Sequence, residues 1–456
     1  MRYLRSMNRP YSFVRRALGT WRRLRTDFAE FLQLEMAGSV VMLGATVLAL
    51  VIANTAAYSW YEEFLHTEIL VQIGTWDFSQ SILHWIDDGL MALFFFVVGL
   101  EIKREIVVGE LSKPRTAALP MIAAAGGMIA PALIYLAVNA GGRGADGWGI
   151  PMATDIAFAM GVLALLGSRA PSGLRLFLVA LAIADDLGAI VVIALFYTKG
   201  VAVGWLALAA IALMVLIVMN RMRVDSPVPY LLVGLVVWFA VLNSGVHATI
   251  AGVLVALTIP TASRLQPMEF CALAREKLDE IEREDIPGAH VLQDDSQQEA
   301  AYEIRSLATH SAAPLQRIEH ALHPFTTFFV LPLFAFANAG IRLVDYDLAN
   351  LILEPVTIGV MLGLLLGKPL GIASMTWLAV RLGVTDLPHG VEWKHILGAG
   401  MLGGIGFTMS IFIANLAFRN EVFLTEAKLA VLVTSAMAGT VAYVYLRAIA
   451  RDGRPA

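Results

Sequence analysis

The chain has 456 residues, 58% of them hydrophobic and 15% charged, with a mean hydropathy of +0.70. A soluble domain of this length does not carry so much apolar surface, so the composition indicates a polytopic α-helical membrane protein. The net charge of −4 is uninformative as a total, its distribution mattering more, and a single cysteine, Cys271, excludes an internal disulfide.

In chain order, residues 1–34 form a basic segment with eight arginines by Arg25. They are scattered through Met1–Phe31, which lacks the basic start followed by an apolar block, so no cleavable signal peptide is expected. The segment reads as an amphipathic helix on an anionic lipid leaflet, with Tyr11, Phe13, Val14, Leu18 and Trp21 below, or as a solvated basic tail.

Apolar runs follow at about 36–54, 82–100, 117–140, 150–166, 174–196, 203–219, 229–243, 246–259, 323–340, 356–382, 395–418 and 425–446. They predict about twelve spans: helices 1–8 within 35–263 and helices 9–12 within 314–446. The short runs 229–243 and 246–259 read as two tightly turned helices or one bent unit. Between them and the ninth span lies an acidic connector, 264–313, expected to hold a partial helix; its charges read as a solvated run and match no calcium-loop spacing. A tail, 447–456, ends the chain. Of the 33 Lys and Arg, only Arg143, Lys199, Arg342, Arg419 and Lys428 fall in the alternate loops or their edges, and Lys368 lies within a span. This bias places both termini in the cytoplasm.

The chain is organised around Gly149–Phe196, two apolar segments joined by a polar turn. Asp155 is 12 residues before Gly167, and Asp185 is 12 after Gly173. At about 1.5 Å per residue both lie roughly 18 Å from the turn. In a hydrocarbon core about 30 Å thick, Asp155, Asp185 and Asp186 therefore share a depth near the midplane. Intramembrane acids are expensive and mark ion or proton paths. The bland alternative is a soluble core helix with a capping aspartate.

Three further constellations stand out. Asp87 and Asp88 open the second span, and Glu101, Lys103, Arg104 and Glu105 close it, as an ion-paired cluster near an entrance or a positive-inside anchor. Lys368 sits at the middle of its span and needs a carboxylate partner, or else snorkels. Leu402-Gly-Gly-Ile-Gly-Phe-Thr-Met-Ser410 and Pro151-Met-Ala-Thr-Asp155 interrupt two spans at corresponding places. That pattern points to inverted repeats over 117–196 and 356–446, three helices each with the middle one broken. Asp155 could compensate the positive half-helix ends, and Lys368 the negative ones. Close helix packing is the other use of such glycines.

The motifs ATDIAFAMGVLALLG from Ala153, LAIADDLGAIVVIALFYT from Leu181 and GLMALFFFVVGLEIKRE from Gly89 resemble the NhaA sodium/proton antiporters. So do GVHATIAG from Gly245, IEHALHPF from Ile318, LPLFAFANAG from Leu331, GLLLGKPLGI from Gly363 and GGIGFTMSIFIANLAF from Gly403. They run in family order over about Glu35–Leu446; the basic start is not covered, and the connector looks longer than is usual.

The resemblance implies an all-α fold of about twelve helices with two broken crossing helices. It implies Asp186 as the principal Na+- and H+-binding carboxylate, with Asp185 beside it as the partner of Lys368. Thr154 and Asp155 would flank the site at the broken helix. Glu101, Lys103, Glu105, Glu319, His320 and His323 resemble a cytoplasmic cluster tied to pH regulation. His247 matches a further pH-linked histidine, and Asp88 an acid of the second span.

The expected activity is electrogenic exchange of cytoplasmic Na+, with Li+ too, for external H+ in a bacterial inner membrane, controlling intracellular pH and sodium. No cofactor, no nucleic acid and no covalent chemistry are expected; a homodimer is admitted. Adjacent carboxylates repel, and a cation or a proton relieves that repulsion, so the two compete for the same oxygens. Two rival classes share features. An intramembrane aspartyl protease would need a GxGD motif, which Ala184-Asp-Asp-Leu187 lacks. A sodium-coupled symporter of an organic solute would not need the midplane lysine.

Overall fold

In lipid, each backbone N–H and C=O must be paired within the protein, so long apolar runs fold as helices. A computed structural model describes residues 20–73, 76–198, 200–284, 295–345 and 348–452. Residues 1–19 of the basic segment, with Tyr11, Phe13, Val14 and Leu18, lie outside the described residues, as do 285–294 of the connector and 453–456 of the tail.

The helices follow the predicted runs in order. They are α1 (Thr20–Ala53), α2 (Met91–Val107), α3 (Pro114–Asn139), α4 (Ile156–Leu165), α5 (Ser172–Phe196), α6 (Val203–Arg221), α7 (Pro227–Leu242) and α8 (Ala248–Thr258). After the connector helices α9 (Pro267–Glu284) and α10 (Asp295–Ser311) come α11 (Pro314–Phe325), α12 (Leu331–Asn338), α13 (Pro355–Leu362) and α14 (Lys368–Arg381). The chain closes with α15 (Trp393–Gly403), α16 (Phe407–Ala417) and α17 (Glu421–Asp452).

Among the described residues, 8 spans are long and apolar enough to cross a membrane, and the pair α15–α16, bent by 47°, makes a ninth. Together with α7, α8 and the helix ending in α2, they account for the expected spans of a multi-pass membrane protein. Runs 229–243 and 246–259 are two short helices, turned at Gly245, whose φ of +85° lies in the left-handed region glycine tolerates.

One element goes beyond the helical expectation. Strands β1 (Glu68–Ile73) and β2 (Trp76–Ser81) pair antiparallel, Glu68 opposite Ser81 and Ile73 opposite Trp76. EILVQI and WDFSQS are too short to span, and their β-branched and aromatic residues favour a hairpin.

Three wide, π-helical turns interrupt the spans: Trp85–Leu90 before α2, Thr326–Val330 between α11 and α12, and Gly363–Gly367 between α13 and α14. The last two sit just before Pro332 and Pro369. A proline inside a helix clashes with the carbonyl four residues back and removes a donor, and a widened turn absorbs both. Lys368 thus emerges where its helix is locally irregular.

The helices pack as two groups. α3, α4 and α5 pack with α13–α14, α15–α16 and α17, the two predicted repeats. α2, α6, α7, α8 and α11 surround a second core built on Phe96, Leu100, Leu216, Tyr230 and Val237. α1 lies against both α4 and α12. Within the first group α3 and α14 cross at Gly126 and Gly371, where a Cβ on either would collide with the other's carbonyl oxygen. That close crossing brings Lys368 in against α3.

The connector holds more than the expected partial helix. α9 and α10 pack on each other, and Lys277 bridges Glu303 at 2.6 Å and Glu280 at 2.9 Å. Glu303 first, then Glu280, raises the lysine's pKa above its ordinary value. Leu315 N donates to Pro260 O at 3.1 Å, so the chain enters and leaves the connector at one place.

Candidate functional site

The two broken spans cross at their unwound stretches. Between the 3-10 segment Ala145–Met152 and α4, residues 153–155 are extended; between α15 and α16 the chain leaves the helix near Ile405 and Gly406. Backbone groups freed there find partners across the crossing. Asp155 N donates to Ile405 O at 2.7 Å, and Ser410 Oγ to Ile150 O at 2.7 Å.

Asp155 caps two helices at once. Its Oδ1 accepts from Phe158 N at 2.9 Å, at the start of α4. Its Oδ2 accepts from Thr408 N at 3.1 Å and Thr408 Oγ1 at 2.5 Å, at the start of α16. Both half-helices thus direct their positive N-terminal ends at one buried carboxylate. Thr408 was not among the expected site residues. The signal for it is a hydroxyl residue two positions after the last glycine of the GGIG interruption, where an α16 N-terminal donor must lie.

Lys368 answers the opposite ends. Its Nζ donates to Asp185 Oδ2 at 2.7 Å and to Thr154 Oγ1 at 2.9 Å, and Thr154 Oγ1 donates onward to Gly403 O at 2.9 Å. The ammonium is therefore linked through a hydroxyl to the carbonyl end of α15. Lys368 and Asp185 are almost fully buried, at 0% and 2% exposure. Removing both ions from water costs several kcal/mol apiece, an order-of-magnitude figure offset only by close contact and these hydrogen bonds.

Asp186 follows Asp185 on α5 and is 1% exposed. Among the described residues, neither Asp185 Oδ1 nor Asp186 Oδ1 has a hydrogen-bond partner. A buried carboxylate oxygen without a donor is costly, and it is what a cation or proton would satisfy. Asp186 faces a cavity of about 50 Å³ that Glu101, Asp155, His323, Thr326, Thr327 and Thr408 also line. That holds a few waters or a monovalent ion. The arrangement can bind a hard cation or a proton, one in place of the other.

The cavity runs toward a charged cluster at one end of α2. His323 Nδ1 lies 3.6 Å from Glu101 Oε1, and Arg104 Nε 3.3 Å from Glu319 Oε1. Glu105 Oε2 accepts from Glu110 N at 2.9 Å, and its Oε1 is 3.9 Å from Arg104. The expected set differs here in two members. Lys103 donates to Leu257 O at 2.7 Å and Ile259 O at 2.5 Å, so it caps the end of α8. His320, the residue after the buried Glu319 on α11, is exposed. Arg104, expected in the ion-paired cluster that closes the second span though not in the pH-linked set, is the cation that pairs with Glu319.

His247 and Asp88 lie at the other end of the molecule. His247 Nε2 is 2.8 Å from Tyr197 O, just past α5, and Asp88 Oδ2 is 3.0 Å from His84 Nε2. Trp238 Nε1 donates to Asp88 O at 3.0 Å. The expected residues thus divide into a central site, a cluster at one mouth and two residues toward the opposite face.

Comparison with known proteins agrees along most of the chain. A family model described as Na+/H+ antiporter 1 matches residues 29–446. A Na(+)/H(+) antiporter NhaA of Oleidesulfovibrio alaskensis is 47% identical over 433 residues, covering 95% of this chain and 96% of that one. The protein of that name from Acidithiobacillus ferrooxidans is 49% identical over 439 residues, 93% of this chain and 98% of its own. One from Helicobacter pylori is 47% identical over 428 residues, 93% and 96% respectively.

Proposed function

The chain belongs to the Na+/H+ antiporter 1 family, and from that premise we propose how its residues carry the exchange. The protein exchanges Na+ for H+ across a membrane. Asp186 is the carboxylate that takes either Na+ or a proton, and Asp185 completes the cation's oxygen shell when Lys368 yields it. Thr154 and Asp155 hold the crossing in register; Asp155 balances the positive half-helix ends, and Lys368, through Thr154, the negative end of α15. The observation that carries this reading is the pair of adjacent buried carboxylates with undonated oxygens, one paired to Lys368 and the other facing a water-sized cavity.

Competition follows from charge. Empty, the site holds two carboxylates against one ammonium in a low-dielectric interior, and a net buried charge opposes reorientation. Loaded with Na+ or with protons, it is compensated and can turn. Exchange needs no covalent step. Li+ shares the hard-cation preference for oxygen and is carried as well. More protons enter than Na+ leaves per cycle, so transport is electrogenic and serves to set intracellular pH and sodium. Glu101, Lys103, Glu105, Glu319, His320, His323 and His247 tune its pH response. Asp88 takes part from the opposite end.

The Lys and Arg bias supports a chain with both termini cytoplasmic, and the bacterial sources of its relatives support a bacterial inner membrane. It supports the domain layout too: a basic segment 1–34 on anionic lipid, spans in 35–263 and 314–446, a cytoplasmic connector 264–313 and a tail 447–456. A homodimer fits this reading. No observation favours a sodium-coupled symporter of an organic solute.

The test is Asp186→Asn in everted vesicles, with dequenching of a pH-gradient dye on separate additions of Na+, Li+, K+ and Ca2+. Exchange should fall at least about 100-fold, since the amide removes both the proton site and the charge that holds the cation, while membrane insertion persists. Appreciable Na+-driven proton flux in the variant would refute the assignment of Asp186.

A further inference from the structure

A second polar cluster, with Asn338 buried and Asp87, Asn415 and Lys428 half-buried, lies on the far side of the site from Glu101, and the exchange mechanism above does not use it. Asn338 Nδ2 donates to Asp87 Oδ1 at 2.7 Å, while Asn338 Oδ1 accepts from Lys428 Nζ at 3.3 Å and from Asn415 Nδ2 at 2.6 Å. Asn415 Nδ2 also lies 3.3 Å from Asp87 Oδ2. A carboxylate and an ammonium are thus joined through a side-chain amide, with a second amide bracing the first.

The four residues come from both helix groups. Asp87 belongs to the wide turn before α2, and Asn338 ends α12. Asn415 is on α16 and Lys428 on α17, both in the group that carries the site. A charged hydrogen-bonded network is an unlikely filler between packed helices unless something requires its directionality, because each member loses hydration on burial.

Its depth is read along α16. Thr408 touches Asp155 in the site; Phe412 is four residues on, about 6 Å, and Asn415 three more, about 4.5 Å. Phe412 packs on Phe95 of α2 at 5.4 Å between ring centroids and on Phe334 of α12 at 6.3 Å. All three rings are buried. So the same elements that meet at the polar cluster meet first at an aromatic layer between it and the site. The other side of the site has the water-sized cavity.

We propose that Asp87, Asn338, Asn415 and Lys428 form a latch that closes the site on the face opposite Glu101, and that it must part each time the site opens to that face. This rests on the exchange reading, which requires the site to reach both faces. Aromatic contacts resist separation weakly and without direction, whereas the amide-bridged ion pair fixes one register between the groups. Once α16 and α17 shift, the bonds of Asn415 and Lys428 to Asn338 and Asp87 are lost together, which makes the seal two-state. Water entering from that face can then solvate Asp87 and Lys428, so the open form is not left with bare buried charges.

The test uses the full chain in liposomes. Cys271→Ser removes the native thiol, which is free and exposed, and Asn338→Cys with Asn415→Cys places thiols across the latch. A short, reducible bifunctional methanethiosulfonate then ties the two helices. Crosslinking should lower exchange at least about tenfold relative to the same protein reduced, reversibly, because one of the two states is no longer reachable. Binding of radioactive sodium in detergent should persist. Exchange at the reduced rate in fully crosslinked protein overturns the latch, and so does loss of sodium binding, which would mean that the tie distorts the site.

If the reduced double-cysteine protein is itself inactive, Asp87→Asn with Lys428→Gln decides. It keeps hydrogen-bonding groups and removes both charges. The latch requires the apparent KM for Na+ presented on the Glu101 face to rise at least about threefold with kcat maintained, because a smaller fraction of the protein waits open to that face. An unchanged KM overturns it. Failure of the exchange reading is seen separately, as flux through Asp186→Asn.

Discussion

Lys368 and Asp185 offer the most stringent test of the central site, because the structure predicts that two damaging changes repair each other. The ammonium donates to Asp185 at 2.7 Å and Thr154 at 2.9 Å, and both charged groups are almost fully buried. Asp185→Asn leaves the ammonium with neutral acceptors only. Lys368→Gln leaves Asp185 beside Asp186 with no countercharge. Breaking a buried pair from one side costs about 3–5 kcal/mol, most of it the stranded charge. The double variant strands neither, and an amide facing an amide can re-form the bond, so it should lie within about 2 kcal/mol of the parent. A double-mutant cycle should then return a coupling of at least about 2 kcal/mol, the double change costing far less than the sum of the singles. Thermal melting in one detergent ranks the four proteins: parent and double variant high, both singles low. A double variant no more stable than both singles would sink the pairing argument, whatever the transport data show.

Lys368→Arg separates two roles. The guanidinium keeps the charge but does not release a proton near physiological pH, so a pure countercharge role predicts continued exchange with a raised apparent KM for Na+; flux that stops, or becomes electrically silent, would show that the lysine carries a proton. Thr408→Val removes the 2.5 Å bond to Asp155 and should lower stability by about 1–3 kcal/mol through an under-satisfied buried carboxylate; an unchanged melting temperature contradicts the double-cap reading. Deleting residues 265–312 and bridging the gap with a short glycine linker should leave exchange intact, since Pro260 and Leu315 already adjoin; loss of transport in correctly inserted protein would place the connector inside the transport machinery.

Much of this was legible in the chain because a bilayer leaves few options. Apolar runs had to be helices, and an intramembrane Asp155, Asp185, Asp186 or Lys368 had to face the interior with a partner. Equal residue counts from the turn placed three aspartates at one depth, and the two glycine- or proline-marked interruptions announced where helices break. Those arguments use only length, periodicity and the cost of charge in lipid, and they determined the class of fold, the shared depth of the aspartates and the need of Lys368 for a carboxylate partner; that the partner is Asp185 was implied by the resemblance and is seen in the 2.7 Å contact.

Contacts between distant segments follow from packing, which no local pattern encodes, and there the tertiary structure decided. That Thr408 shares Asp155 with Phe158, or that Thr154 passes the charge of Lys368 to Gly403, depends on how two broken spans cross. Lys103 and Arg104 are neighbours of like charge in the sequence. One caps α8 and the other pairs with Glu319, because a helix turns about 100° per residue and so points them at different neighbours. The joining of Asp87 to Lys428 through Asn338 has the same origin: it is set by what lies across an interface, between residues far apart in the chain.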